Sequence, residues 1–261
     1  MEQGAQVKRS GAAVRPIPRL KQETLEEWGT QPDAIGRLLP RAFFEASPEW
    51  VAPRLLGKVL VHSTRVGLLA GRIVETEAYL GPHNDPPDPA AHSHRGATPR
   101  NCVLFGPAGH AYVYVIYGRY FCMNVSCEAE GQAGCVLLRA LEPVGETGLE
   151  QMALNRGIEP GAPARQLTSG PSRLCQALGL TRLSHNGLDL LDPASPLQLR
   201  DDGFRVREVL VTPRIGIKHA VDWPLRFALP NHGCVSGPKN WPKAGLKMMT
   251  KGLVGRSIFL R

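Results

Sequence analysis

Two glutamates alternate with β-branched and small residues in the segment 71–81, which reads Gly-Arg-Ile-Val-Glu-Thr-Glu-Ala-Tyr-Leu-Gly. On a β-strand, Glu75, Glu77 and Tyr79 would share one face. Charged residues are depleted in strands, so this face indicates either a functional site or a solvated surface with one carboxylate in a salt bridge. A carboxylate can take a proton from a water molecule that attacks a sugar carbon, so the pair is a candidate general base.

A second group of residues suggests recognition of a flat ligand. Tyrosines recur in the segment 111–120, Ala-Tyr-Val-Tyr-Val-Ile-Tyr-Gly-Arg-Tyr. Aromatic faces can stack on an extruded base, and a tyrosine at a turn can wedge between bases. Arg139, on a later strand, could orient a carboxylate and a water molecule. Tyr112 and Tyr114 could equally be ordinary sheet residues, and these residues alone leave both interpretations open.

The elements that would position these residues show no βαβ rhythm and no internal repeat. The pattern predicts an α+β fold, a single compact domain around an antiparallel or mixed sheet. The loop 81–101 is too rich in proline for regular structure, and loops of that length are usually functional or disordered. Helices are predicted at 41–45, 50–56, 146–155 and 173–178, the last with a serine N-cap, and strands at 58–62, 71–80, 134–141, 206–211, 214–217 and 225–229.

The segment 111–126 predicts a protruding β-hairpin. The Gly118-Arg119 pair suits a two-residue turn of type II′. Such a turn would place Tyr117 opposite Tyr120, Tyr114 opposite Met123 and Val113 opposite Asn124.

The charge of the chain is unevenly distributed. The 261 residues carry a formal net charge of +8, and residues 231–261 contain six lysines and arginines and no acidic residue. A basic protein of this kind usually meets a polyanion, although a solubility tail would look the same. We therefore expect a flexible N-terminal extension at 1–36, a globular domain at 37–230 and a basic C-terminal tail at 231–261.

Several classes of protein are disfavoured by composition. The polar, proline-broken start is not a secretory signal, and no apolar stretch is long enough to cross a membrane. The six cysteines include no Cys-x-x-Cys pair and lack metal-ligand spacing, so they are expected to be reduced thiols. His92 and His94 have no third ligand at suitable spacing, so we expect no metal and no cofactor.

Taken together, these segments resemble the alkyladenine (3-methyladenine) DNA glycosylase family. The resemblance covers about residues 37–230, with the motifs in the order of the family. They are Arg72-Ile-Val-Glu-Thr-Glu-Ala-Tyr-Leu-Gly81, Ala91-His92-Ser93, Thr98-Pro99-Arg100-Asn101, Tyr112-Val-Tyr-Val-Ile-Tyr-Gly118, Tyr120-Phe-Cys-Met-Asn124, Cys135-Val-Leu-Leu-Arg-Ala-Leu-Glu-Pro143 and Gly170-Pro-Ser-Arg-Leu-Cys-Gln-Ala-Leu178.

The resemblance implies roles for individual residues. Glu77 would be the general base that activates water, and Arg139 and the backbone at Ile215 would help to hold that water. The other implied roles concern the substrate. Tyr79, His92 and Tyr114 would stack on the flipped base, Asn124 would crowd the exocyclic amino group of guanine, and Leu137 would line the pocket.

The resemblance also implies contacts with the DNA duplex. Tyr117 would enter the minor groove and fill the space that the base leaves. Arg119 stands at the hairpin tip, where related enzymes can carry an apolar residue, so it could contact a phosphate or the opposite strand. Ser172 and Arg173 are candidates for contacts with the DNA backbone.

The implied function is base-excision repair. The protein would flip alkylated or deaminated purines, of the 3-methyladenine, hypoxanthine and ethenoadenine type, out of duplex DNA and hydrolyse the N-glycosidic bond. Enzymes that also cut the backbone use an amine nucleophile. The central region contains only Lys58 and Lys218, neither in a pocket motif, so we expect water as the nucleophile and no lyase step.

The expected partner is double-stranded DNA with damaged purines, bound by a monomer without membrane contact. The expected location is the cytoplasm or nucleoid of a bacterium, or the nucleus of a eukaryote. Two other functions compete: an RNA- or ribosome-binding module that uses the tyrosines as a stacking platform, and a hydrolase of small nucleosides. The first leaves Glu77 and Arg139 without a role, and the second leaves the hairpin tip and the tail without one.

Overall fold

The computed structural model describes residues 35–145, residues 148–237 and the backbone of Lys247–Met249. These residues form five α-helices and ten strands. The helices are α1 (Pro48–Leu55), α2 (Leu149–Arg156), α3 (Ala164–Thr168), α4 (Pro171–Ala177) and α5 (Arg182–His185), and short 3₁₀ turns lie at Arg41–Phe43 and Cys102–Phe105. The strands are β1 (Arg37–Leu38), β2 (Val59–Thr64), β3 (Gly67–Tyr79), β4 (Ala111–Ile116), β5 (Tyr120–Cys127), β6 (Gly134–Val144), β7 (Leu197–Asp201), β8 (Val209–Thr212), β9 (Arg226–Ala228) and β10 (Lys247–Met249).

The ten strands of the described chain pair antiparallel in one open sheet, and seven of them follow the order β1-β7-β2-β3-β6-β5-β4. β3 is 13 residues long and organises the sheet. Its first half pairs with β2, its second half pairs with β9 on the same edge, and β6 runs along its other edge. β9 continues into β8, which in turn pairs with β10. The prediction of an α+β domain around a sheet is confirmed.

The apolar core lies between the sheet and the helices. Val51 and Leu55 of α1 and Leu174 of α4 are fully buried in one cluster with Ile73 and Leu138 of the sheet. Both faces of the central strands are covered, so β3 and β6 are buried along almost their whole length. Burial of this kind gives a rigid platform for any side chain that leaves the far ends of these strands.

The hairpin of β4 and β5 forms as predicted, but its turn is longer than predicted. Ile116, and not Tyr117, lies opposite Tyr120, and the same shift places Tyr114 opposite Cys122 and Tyr112 opposite Asn124. The loop therefore has three residues, with φ of +49° at Tyr117 and +72° at Gly118. The predicted register was wrong by one residue because a glycine-containing tip also permits a three-residue turn.

Three other local predictions need correction. Residues 214–217 form no strand. The Arg214 side chain donates to Asp88 and to the Ala78 carbonyl, and the Ile215 N–H donates to the Glu77 side chain instead of to a neighbouring strand. No serine caps α4, since its N-cap is Gly170 at φ +120° without a side-chain cap bond. The strand β7 was not predicted. Residues 146–147 of the predicted helix 146–155 lie outside the described residues.

The predicted division of the chain into 1–36, 37–230 and 231–261 remains a prediction. Two parts of the basic tail lie within the described residues. Residues 231–237 return to the domain, where Cys234 and Ser236 are buried. The backbone of Lys247–Met249 pairs with Val209–Val211.

A pair of buried histidines connects the sheet to α5. His62 Nδ1 lies 2.7 Å from the Leu178 carbonyl oxygen, which can only accept, so Nδ1 carries the proton. His62 Nε2 must then accept from His185 Nε2–H at 3.2 Å, while the Thr181 N–H donates to His185 Nδ1 at 3.1 Å. Both rings are neutral in this arrangement. Burial lowers the pKa of His62 to about 4, and burial also lowers the pKa of His185.

This pair predicts a loss of stability in mild acid. Because the folded pKa of His62 is below its unfolded value, its contribution is complete above about pH 6.5 and disappears as pH falls towards about 4. The free energy of unfolding should fall by about 2 kcal/mol between pH 7.5 and pH 5 from this histidine. Denaturant titrations should show a smaller fall for His62→Gln than for the exposed control His219→Gln. Equal slopes in the two variants would contradict the assignment.

Candidate active site

A cleft of about 600 Å³ opens beside the hairpin, where the ends of β3 and β6 meet the loop 81–101 and the segment after β8. It brings together nine of the residues that the sequence singled out. They are Tyr79, His92, Tyr114, Tyr117, Asn124, Leu137, Arg139, Ser172 and Ile215. These residues come from separate parts of the chain, so only the fold assembles them.

Glu77 lies beneath the floor of this cleft with no exposed surface. Its Oε1 accepts from the Ile215 N–H at 2.8 Å and lies 3.2 Å from Arg139 Nη1. Its Oε2 accepts from the Tyr79 hydroxyl at 2.9 Å. Each of the three groups that bind this carboxylate also lines the cleft. The hydrogen-bond partners of Glu77 therefore form part of the cleft lining, although Glu77 itself does not.

The second carboxylate, Glu75, shares Arg139 with Glu77. Arg139 Nε donates to Glu75 Oε1 at 2.9 Å, and Glu75 is fully buried. Burial opposes the charge of Arg139, but the carboxylates of Glu77 and Glu75 outweigh it and raise the pKa of the guanidinium. Arg226 and Ser236 also bind Glu75. The sequence did not point to either residue, because neither belongs to one of the family motifs.

Two irregularities in the β3–β6 ladder place Arg139 between the carboxylates. Ile73 pairs with Leu141 and Glu75 with Ala140, so Val74 is an extra residue on β3. Thr76 then pairs with Leu138, so Arg139 is the extra residue on β6. Bulges of this kind re-aim side chains and are frequent beside active sites. Here they allow one guanidinium to reach two glutamates on the neighbouring strand.

Aromatic rings form one wall of the cleft. Tyr112 and Tyr114 stack with centroids 5.3 Å apart and an interplanar angle of 21°, and His92 meets Tyr114 edge-on at 4.6 Å. His92 Nδ1 lies 3.0 Å from the Tyr112 hydroxyl. Partial burial and the charge of Arg100 lower the pKa of His92, so its ring is neutral at pH 7. Burial raises the pKa of Tyr112 to about 12, so this tyrosine keeps its proton.

The backbone of the His92 loop is held by side-chain hydrogen bonds. Asn101 Nδ2 donates to the carbonyl oxygens of His92 and Gly96 at 2.8 and 3.1 Å. Ser93 Oγ donates to the Ala133 carbonyl at 2.9 Å. Asn101, the last residue of the Thr98-Pro99-Arg100-Asn101 motif, therefore fixes the backbone turn that carries His92.

A buried ion pair joins the same loop to the segment after β8. Arg214 donates to both carboxylate oxygens of Asp88, and the side chains of both residues have no exposed surface. The guanidinium also donates to the Ala78 carbonyl at 3.0 Å and lies 4.6 Å from the centre of the Tyr79 ring. Arg214 precedes Ile215, whose N–H binds Glu77. One ion pair therefore supports both the aromatic wall and the contact to the candidate base.

Asn124 and Leu137 lie side by side at the cleft, on paired positions of β5 and β6. Tyr112 lies opposite Asn124 on the other side. Asn124 is 4% exposed and is part of the cleft lining.

The hairpin tip and the rim of the cleft carry the residues proposed to contact DNA. Tyr117 is 88% exposed, which is unusual for a tyrosine, and it has a positive φ that costs most L-residues about 1 kcal/mol. The Arg119 guanidinium lies 4.7 Å above the ring of Tyr120. Ser172 lines the cleft next to Arg173, which is exposed at the start of α4.

Within the described ranges, no group of three or more His, Cys, Asp and Glu side chains is arranged to hold a metal ion. In the same ranges, no helix is both long and apolar enough to span a membrane.

This arrangement combines buried, paired carboxylates below an aromatic cleft with an exposed aromatic hairpin tip. The family model of methylpurine-DNA glycosylase matches residues 42–233. The chain therefore belongs to the methylpurine-DNA glycosylase family, and it is a hydrolytic DNA glycosylase of DNA repair.

Curated relatives from several organisms align with most of the chain. A protein of Koribacter versatilis, provisionally named 3-methyladenine DNA glycosylase, is 53% identical over 201 residues, which cover 77% of this chain and 94% of the relative. Proteins with the same provisional name from Methanoculleus marisnigri and Rhodopseudomonas palustris are 48% and 46% identical, over 76% and 79% of this chain and 98% and 94% of their own lengths.

The buried ion pair predicts a specific loss of stability. Asp88→Asn leaves the Arg214 charge buried without its counterion, which typically costs about 3–5 kcal/mol. Asp202→Asn removes one partner of the more exposed pair with Arg72 and should cost less than about 1 kcal/mol. Denaturant unfolding at pH 7 compares the two, and similar costs would contradict a structural role for the buried pair.

Proposed function

We propose that this protein is a monofunctional glycosylase that flips alkylated or deaminated purines out of duplex DNA and hydrolyses their N-glycosidic bond with an activated water. The bases would be of the 3-methyladenine, hypoxanthine and ethenoadenine type. The observation that carries the proposal is the position of Glu77, bound by Arg139 and the Ile215 N–H directly behind an aromatic cleft. The names of the relatives support 3-methyladenine as one substrate.

The cleft suits a flipped purine. Its volume of about 600 Å³ is within the usual range for small-ligand sites and leaves room for the base and part of its sugar. The rings of Tyr79, His92 and Tyr114 offer faces and edges for stacking, which is favourable for any base. Asn124, fixed between neighbouring strands, would exclude a purine with an exocyclic amino group at position 2. Selectivity of this kind comes from a clash with the wrong base.

The exposed residues around the opening suit duplex DNA. Tyr117 would fill the stack after the base leaves, and its outward position is consistent with that role. Arg119 and Arg173 would bind phosphates, and Ser172 would contact the backbone near the opening. Each phosphate contact would add to the salt dependence of binding. One chain contains all of these groups, so the protein would act as a monomer.

The chemistry would begin when a water molecule reaches the Glu77 carboxylate. In this structure the Glu77 carboxylate is covered by Tyr79, Arg139 and the Ile215 N–H. The entering nucleoside must therefore shift one of these contacts. Glu77 would then accept a proton from the water. The water oxygen would bond to the sugar carbon, and the base would leave with the electrons of the broken N-glycosidic bond. The described residues that line the cleft include no lysine, which favours water over an amine nucleophile.

Glu77→Gln tests the base. The amide keeps the shape of the side chain but cannot accept the proton, so single-turnover excision should fall by roughly two to four orders of magnitude while DNA binding survives. A matched control is Glu142→Gln, a partly exposed glutamate of the same sheet. The assay uses duplexes with one hypoxanthine or ethenoadenine, and alkali then reveals abasic sites.

The same assay separates the competing functions. Strand cleavage before alkali would contradict the monofunctional mechanism, and full activity of the Glu77→Gln variant would contradict the assignment of the base. Binding without any product would favour the RNA-binding alternative. Cleavage of free nucleosides with no action on duplexes would favour the nucleoside hydrolase.

Asn124→Ala tests selectivity. The smaller side chain leaves room for an amino group, so excision of guanine-derived lesions should rise several-fold relative to hypoxanthine. Competition assays that contain both lesions measure the ratio directly, with each lesion serving as the reference for the other. An unchanged ratio would remove Asn124 from the selectivity mechanism.

A further inference from the structure

We propose that Ser236 is a positioning residue for excision, which acts by fixing the orientation of Arg139 next to Glu77. It lies in the segment 233–237, called the return segment here, and beyond the residues 42–233 that the family model matches. The inference rests on the proposed role of Glu77 as the base.

The three nitrogens of the Arg139 guanidinium face three different partners. Nε donates to Glu75 at 2.9 Å, Nη2 donates to Ser236 Oγ at 3.1 Å, and Nη1 lies 3.2 Å from Glu77. A planar guanidinium held at two nitrogens has a fixed third direction. Glu75 and Ser236 therefore determine where Nη1 points, and Nη1 points to the candidate base.

Ser236 uses all of its polar groups in this cluster. Its N–H donates to Glu75 Oε2 at 2.6 Å, and its hydroxyl donates to Glu75 Oε1 at 2.9 Å while accepting from Arg139. Its carbonyl oxygen accepts from Arg226 Nη2 at 3.1 Å. One residue thus binds the second carboxylate and both guanidinium groups.

The cluster is balanced in charge and almost completely buried, with Arg139 reaching the cleft. Glu75 and Arg226 are fully buried, with Arg226 Nε 2.6 Å from Glu75 Oε1, and Arg139 is 7% exposed. Two carboxylates and two guanidinium groups leave no net charge in the buried volume. Buried ion pairs depend on good geometry and on hydrogen bonds to the remaining polar atoms. Ser236 supplies those bonds.

The return segment is firmly attached. Arg165 of α3 donates to the carbonyl oxygens of Gly233, Val235 and Gly237, at 3.2, 3.1 and 3.1 Å. Cys234 and Val235 pack into an apolar cluster with residues of β3, β6, β8 and β9. Ser236 is therefore held next to Arg139 by contacts that precede and follow it in the chain.

The expected consequence is a defect in chemistry without a defect in binding. In Ser236→Ala, Arg139 Nη2 loses its acceptor and Glu75 loses one donor, so the guanidinium is held at only one nitrogen beside Glu77. A lost hydrogen bond to a charged group corresponds to a rate decrease of roughly tenfold or more. The hairpin tip and the aromatic wall are not touched, so affinity for lesion DNA should stay within about twofold.

The experiment compares Ser236→Ala, Ser236→Thr and the exposed control Ser184→Ala in the full chain. Single-turnover excision on a hypoxanthine duplex, the dissociation constant for that duplex, and thermal melting are measured for each. Threonine keeps the hydroxyl and should restore most of the rate, whereas alanine should not. A second test places Ser236→Ala in the Glu77→Gln background, where it should change the residual rate little, because the two residues act through one contact.

The outcomes separate the two proposals. Three results would overturn the positioning role without affecting the proposed glycosylase function. Ser236→Ala could have the wild-type rate, or Ser236→Thr could lose as much rate as Ser236→Ala. The third result is a double variant with Glu77→Gln whose rate loss equals the product of the two single losses. A wild-type protein that excises no damaged purine would overturn the proposed function, and the positioning role with it.

Discussion

Two carboxylates without exposed surface must be paired, because an isolated charge in a protein interior is too costly to keep. Glu75 and Glu77 share one guanidinium, that of Arg139, which contacts both, and Glu75 has a second ion pair with Arg226. The surrounding structure follows from this contact. β3 supplies the two glutamates, β6 supplies the arginine at a bulge, and β9 and the return segment supply Arg226 and Ser236 to complete the hydrogen bonds.

The same strand, β3, joins stability to function. Along its first half it is an ordinary core strand between β2 and β6, and at its end it carries Glu77 and Tyr79 to the cleft. The core fixes the backbone of β3 and β6 at the site, and hydrogen bonds then fix the polar side chains. The second buried pair, Arg214 with Asp88, extends this order to the loop of His92 and to Ile215. The two buried pairs therefore hold the charged groups around the cleft in defined positions.

A shift of one residue in the hairpin register changes which side chains lie opposite each other on β4 and β5. A two-residue turn would have placed Val113 opposite Asn124 on the hairpin. The three-residue turn places Tyr112 opposite Asn124 instead, and Tyr117 at the exposed tip. Since side chains alternate across a strand, a slip of one residue would exchange the two faces of β4 relative to β5. The aromatic wall and the exposed tip therefore depend on the turn as much as on the tyrosines themselves.

The α+β class, the central strands, the hairpin and the motifs from Arg72 to Leu178 could all be predicted from the sequence. Periodicity and turn residues are local signals, and the motif order is visible along the chain. The sequence did not determine the hairpin register, the bulge at Arg139, or the partners Arg226, Asp88 and Ser236. The register depended on a local choice between a two-residue and a three-residue turn. The contacts of Arg226, Asp88 and Ser236 join residues that are far apart in the chain, up to 161 positions for Glu75 and Ser236. Which distant charges meet depends on the folded chain, since a buried charge is paired by proximity in space and that pairing leaves no periodic signal in the sequence.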